Sequence, residues 1–144
     1  ILNEYGSTPY AAFAAMALAR QAVNSDDLAT AEKHLRLALD TLSEPSLQHV
    51  ARLRLLQVLA AANKHDEALN LIESTEHGAF TAQYEEIRGD ILLARNQPDA
   101  ARQAYQLAMS NARPQAPDRD LLEMKLENLG GDASSRAGAS GNDE

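Results

Sequence analysis

One short pattern recurs three times and limits what this chain can become. An alanine is followed four residues later by a large side chain and seven residues later by a small one. It occurs as Ala31, Leu35, Ala38; as Ala68, Ile72, Thr75; and as Ala101, Tyr105, Ala108. Five positions before each alanine stands Asp26, Asn63 or Asn96, residue types that suit a tight turn. Seven positions before each of those stands Ala19, Leu56 or Gly89. Successive alanines are 37 and 33 residues apart.

The clearest copy is residues 84–108. Gly89 lies midway along its first helix, where a glycine costs about 1 kcal/mol relative to alanine. A glycine there implies that another helix comes close. Asn96 falls at the turn, and Pro98 suits the first turn of the next helix. Ala101, Ala104, Tyr105 and Ala108 then mark one helix face at i, i+3, i+4, i+7. Small residues at Gly89 and Ala101 with a large one at Tyr105 describe a hairpin whose backbones nearly touch. That is the tetratricopeptide pattern, whose period is roughly 34 residues. The middle copy fits least well, with Leu56 and Thr75 where small residues are usual.

The rest of the chain fits the same plan. Thr8 and Pro9 start a first helix to about Asn24, with Asp27 capping the second. The second carries Leu28, Ala31, Leu35, Ala38, Leu39 and Leu42. Ser43-Glu44-Pro45 starts a third helix that is apolar nearly all round, as befits a helix with neighbours on several sides. A short fourth helix carries Ala68, Leu69, Leu71 and Ile72, and Gly78 separates it from the fifth. After a linker at 113–117, Asp118 starts a seventh helix. It is expected to present Leu121, Leu122, Leu126 and Leu129 together and to end at Gly130-Gly131. The expected fold is all-α: a tetratricopeptide-like solenoid of about three helical-hairpin repeats with a C-terminal capping helix. It spans residues 1–130, with a disordered Ser/Gly/Asp-rich tail at 131–144.

Composition excludes several function classes. The net charge of −8 argues against nucleic acid, because phosphate recognition needs a basic face. No cysteine is present, which removes disulfides, thiol catalysis and zinc–thiolate sites. His34, His49, His65 and His77 are scattered without ligand spacing, so no metal site is expected. Neither a phosphate-binding glycine loop nor a Gly-x-Ser-x-Gly elbow occurs. The acidic residues read as solvated helix faces, with Glu85 and Arg88 a surface i, i+3 pair. A non-enzyme without cofactors is the expectation. The chain starts Ile-Leu-Asn and reads as a fragment that lacks a bilayer-spanning segment of its own.

Two stretches carry a closer resemblance. The run Arg88-Gly89-Asp90 with Leu92–Tyr105, and the later Leu122-Glu-Met-Lys-Leu-Glu-Asn-Leu129, resemble the YfgM family. Tyr10-Ala-Ala-Phe-Ala-Ala-Met-Ala-Leu-Ala-Arg20 also matches the first helix of that family's domain. The resemblance covers roughly residues 5–130. It implies a periplasmic tetratricopeptide-like domain anchored in the bacterial inner membrane by one N-terminal helix, absent here. It further implies an accessory role at the Sec translocon, with SecYEG and the periplasmic chaperone PpiD as protein partners. An alternative is a soluble tetratricopeptide adaptor, or a regulator that sequesters a signalling protein.

In such a stack the first helix of each hairpin lines a concave groove. Positions six and three before and one after Ala19, Leu56 and Gly89 then face it. They are Phe13, Met16 and Arg20; Val50, Leu53 and Gln57; Gln83, Glu86 and Asp90. The groove is expected to be apolar at its N-terminal end, suited to a peptide, and acidic at its C-terminal end. A competing reading makes Phe13, Met16, Val50 and Leu53 ordinary core beneath a missing segment.

Overall fold

A computed structural model describes residues 9–140, with side-chain environments for residues 10–130. The described residues form seven α-helices and no strand: α1 (Pro9–Asn24), α2 (Leu28–Thr41), α3 (Pro45–Ala61), α4 (His65–Glu73), α5 (Thr81–Ala94), α6 (Pro98–Asn111) and α7 (Arg119–Ser140). A 3-10 turn at Gly78–Phe80, not foreseen from the sequence, leads into α5. The chain divides into two compact units between Thr75 and Glu76. The first unit holds α1–α4 and the second α5–α7.

The three turn residues do the same job in each hairpin. Asp26, Asn63 and Asn96 have φ of 59°, 62° and 63° and are the non-glycine residues with positive φ among those described. The amide after each donates back to a carbonyl five residues earlier: Asp27 to Ala22 at 2.8 Å, Lys64 to Leu59 at 2.9 Å, Gln97 to Leu92 at 2.9 Å. The turn residues' own amides donate to Val23, Ala60 and Leu93. This paired arrangement satisfies carbonyls that a helix end leaves without partners. Asparagine and aspartate tolerate the left-handed conformation better than most side chains. Only the first turn adds a side-chain cap: Asp27 accepts from the Thr30 amide at 3.2 Å and the Thr30 hydroxyl at 2.6 Å. These bonds, led by the hydroxyl, hold the Asp27 carboxyl below its usual pKa.

In the first unit, α1 meets α2 along its length through small side chains. Ala12, Ala15, Ala19 and Ala22 face Ala31, Leu35 and Ala38, all buried. Alanine faces let two backbones approach closely. The α3–α4 hairpin touches along a shorter stretch. Leu56 stands where the other hairpins have Ala19 and Gly89, and α4 has only 9 residues. The buried face of α3 is wide, with Ala51, Leu55, Leu56, Val58 and Leu59 all covered. A polar bridge joins α2 to α4: Glu32 pairs with Lys64 at 2.8 Å and Arg36 at 3.0 Å, and Arg36 also meets Glu67. The Lys64 hydrogen bond leads in lowering the Glu32 pKa.

In the second unit, α5 and α6 close on each other at Gly89. The core behind them holds Ala101, Tyr105 and Ala108 from α6 with Leu122 and Leu129 from α7. Arg102 and Arg119 donate to the carbonyls of Leu129 and Ala112, tying α7 to α6 and its exit. Three expectations are corrected here. Leu121 is exposed, because only Leu122, Leu126 and Leu129 share the i, i+4, i+7 face. Glu85 and Arg88 do pair, at 3.5 Å, but not on the surface: Glu85 is 7% exposed. Their facing atoms, Oε2 and Nε, are buried without a hydrogen bond, so charge attraction alone compensates them. Finally, α7 does not end at Gly130-Gly131 but runs to Ser140. Gly130 is not among the glycines with positive φ, so it does not make the left-handed turn that stops a helix. Thr8, read as the cap of α1, and the last four residues of the expected tail lie outside the described residues.

Candidate partner-binding clefts

The expected groove residues lie in both units, and each unit has a cleft of its own. In the first, α1 contributes Met16, Ala19, Arg20 and Val23, and α3 contributes Arg54, Gln57, Val58 and Ala61. Both sets follow i, i+3, i+4, i+7, which is one face of a helix. Leu28 and Leu35 of α2 complete the lining of a cleft of about 280 Å³. Three of the expected residues, Met16, Arg20 and Gln57, come together here. Met16 is 6% exposed and so helps form the cleft floor. Phe13 is 50% exposed, one turn before Met16 on α1. Val50 and Leu53 are half-buried on α3 and do not line the cleft.

The second unit has a wider, more polar cleft of about 770 Å³. It lies between the start of α5, the 111–118 connection and the start of α7. Gln83 and Glu86 line it, with Phe80, Arg113 and Leu122 among the other residues. Asp90, one turn beyond Glu86, is drawn into a cluster instead. The Lys125 ammonium lies 2.9 Å from Glu86 Oε1 and 2.9 Å from Asp90 Oδ1. It also sits 5.6 Å from the centre of the Tyr105 ring, within reach of a cation–π attraction. The Tyr105 hydroxyl donates to Asp90 Oδ1 at 2.6 Å.

One lysine serves both carboxylates of that cluster. Burial alone lowers the Lys125 pKa, but hydrogen bonds and charge from Glu86 and Asp90 outweigh it and the net shift is upward. Tyr105 is also pushed well above its ordinary value, first by burial and then by its bond to Asp90. Both groups therefore keep their protons at neutral pH. The acidic end of the expected groove is met by a cation of the same chain, so its carboxylates are engaged within the fold. No group of three or more metal-binding side chains converges among the described residues.

A family model described as a tetratricopeptide repeat-like domain matches residues 1–131. The chain belongs to that family. Among curated relatives, the chain is 32% identical over 122 residues to a protein named "Ancillary SecYEG translocon subunit" from Aggregatibacter actinomycetemcomitans. That match covers 85% of this chain and 59% of the relative. Proteins of the same name from Escherichia coli K12 (29% over 121 residues; 83% and 58% covered) and Neisseria gonorrhoeae (30% over 99 residues; 69% and 47% covered) are also similar. These are the YfgM relatives that the resemblance anticipated. The chain spans about three-fifths of the length of the first two. No solved structure matches it significantly.

For a tetratricopeptide repeat-like domain, the first-unit cleft is the part least legible in sequence. Fixed offsets from Ala19 and Leu56 found Met16, Arg20 and Gln57 but missed Val23, Arg54, Val58 and Ala61. The signal was available: Val23, Arg54 and Ala61 each lie three or four positions from one that was found, and Val58 lies four from Arg54, on the same helix face.

Proposed function

We propose that this chain is the non-catalytic, periplasmic interaction domain of a membrane-anchored accessory factor of the Sec translocon. It would act with SecYEG and, as the YfgM resemblance implies, with PpiD in the periplasmic chaperone network. The observation that carries the reading is the similarity to several proteins named ancillary SecYEG translocon subunits, across 69 to 85% of this chain in the three compared. The helical hairpins of each unit support it, since repeats of this kind serve as partner-binding surfaces. So does the apolar cleft between α1 and α3 in the first unit. The partner-facing residues in this reading are Phe13, Met16, Arg20, Val50, Leu53, Gln57, Gln83, Glu86 and Asp90, with Val50 and Leu53 outside the cleft and Glu86 and Asp90 already paired with Lys125. The membrane anchor in this reading is what the YfgM resemblance implies; no described helix is long and apolar enough to cross a bilayer.

The test is photocrosslinking in membranes, with a photoreactive side chain at Phe13 of the protein that carries this domain. Crosslinks to SecY or PpiD are the expected result. Crosslinks that are equally frequent from exposed Lys33 on α2, or absent from both positions, overturn the reading.

A further inference from the structure

The cleft of the first unit combines two features. Its floor and walls are apolar, through Met16, Val23, Leu35 and Val58. Its two walls each also carry an arginine, Arg20 from α1 and Arg54 from α3. Elsewhere Arg36, Arg88, Arg102 and Arg119 each have a carboxylate within ion-pair distance. Arg20 and Arg54 have neither an ion pair nor a hydrogen bond with any described residue, and both are exposed. In a chain of net charge −8, two unpaired cations beside an apolar cleft form a local positive rim.

Size and charge together select an occupant. Small-molecule sites run about 300–1,000 Å³ and enclose most of their ligand. At about 280 Å³ and open along one side, this cleft has room for one large apolar side chain or two small ones. The guanidinium fork matches a carboxylate, bonding it through two parallel N–H groups.

Building on the reading of this chain as a protein-interaction domain, we infer that the α1–α3 cleft binds an extended segment of a partner protein in which an apolar side chain is flanked by aspartate or glutamate side chains. The apolar side chain fills the cleft over Met16 and Leu35. The neighbouring carboxylates pair with Arg20 on one wall and Arg54 on the other. The chain's net charge of −8 disfavours such a segment overall, and these two cations beside an apolar cleft set where it docks.

The experiment is fluorescence anisotropy with the full 144-residue chain and three labelled peptides. The first has blocked ends and a central Asp-Leu-Phe-Glu. The second replaces both acids by Asn and Gln. The third has neutral side chains and a free carboxylate directly after Leu-Phe. Saturable binding of the first peptide is expected, at least about tenfold tighter than the second, and weakening as salt rises. Joint substitution Arg20→Ser with Arg54→Ser is expected to weaken binding about tenfold. Ala61→Glu, at an exposed position on the cleft wall, is expected to abolish it with the helical circular dichroism unchanged. No saturable binding, equal binding of the amide peptide, or preference for the free chain terminus each overturns the inference. The two proposals fail separately. Peptide binding lost while the Phe13 crosslinks persist removes only this one, and crosslinks lost while the acidic peptide still binds removes only the translocon reading.

Discussion

Gly89 and Tyr105 leave room for only one side chain between them. A Cβ on Gly89 would lie 2.5 Å from Cε1 and 2.6 Å from Cδ1 of the Tyr105 ring, far inside contact distance. Tyr105 cannot easily withdraw, being 1% exposed and held by Asp90 through its hydroxyl. Alanine would gain about 1 kcal/mol of helix propensity but force an overpacked core that costs about 1–3 kcal/mol or more. Gly89→Ala should therefore destabilise the chain, by up to about 2 kcal/mol, in urea titration. The first hairpin shows the remedy, since Ala19 and Leu35 occupy the same two positions, both buried. Adding Tyr105→Leu to Gly89→Ala should therefore cost less than the two single changes summed. Additive losses in this double-mutant cycle would contradict the proposed small-to-large exchange between repeats.

A second prediction concerns the three left-handed turn residues. Each sits at φ near 60°, where glycine has no steric penalty and alanine pays about 1 kcal/mol. Asn63→Gly and Asn96→Gly should be neutral or slightly stabilising, whereas Asn63→Ala and Asn96→Ala should each lower stability by about 1 kcal/mol. Thermal melts of the four variants check this. Equal effects of Gly and Ala would mean that the asparagine side chains do more than tolerate the turn.

Most of the fold was legible because it rests on local, repeated signals. Ala31, Ala68 and Ala101 fixed the register, and Asp26, Asn63 and Asn96 marked turns whose backbone proved alike. What escaped the reading depends on tertiary placement. Nothing in the local sequence says that Glu85 is buried, since a glutamate three residues before an arginine is usually a surface pair. The pairing of Glu86 and Asp90 with Lys125 joins residues 39 and 35 positions apart, beyond any helical periodicity. Gly130-Gly131 carried the right composition for a stop without the left-handed conformation that makes one. Only three of the ten residues that line the cleft were among those expected, because one face of a helix was sampled at fixed offsets instead of along its full stripe.

The third prediction follows from that long-range cluster. Lys125→Met keeps the length of the side chain and removes its charge, leaving Glu86 and Asp90 facing each other without a cation. Lys125 and Glu86 are mostly covered, with side-chain exposures of 23% and 14%, but Asp90 is 45% exposed and partly screened. A loss of about 1 kcal/mol is expected after that discount, shrinking in molar salt as the remaining repulsion is screened. Hydrogen exchange locates the effect: amides of α7 around Leu122 and Leu126 should lose protection before those of α1 and α2. Uniform loss across the chain would contradict a local latch.

Alkaline pH should loosen the same cluster. Tyr105 and Lys125 both have folded pKa values above their ordinary 10.0 and 10.5. A group whose pKa is raised by folding binds its proton more tightly in the native state. Its contribution is complete below the unfolded pKa and is lost as pH climbs through the folded value. Stability should therefore hold up to about pH 10 and fall above it, as the unfolded chain releases protons that the native one retains. Tyr105→Phe removes one of the two groups and keeps the ring. Its stability should fall less steeply above pH 10 than that of the parent chain, even if it is lower at pH 7 for want of the Asp90 bond. Urea midpoints measured from pH 8 to pH 11 for both proteins decide the matter, and parallel declines would remove Tyr105 from the account.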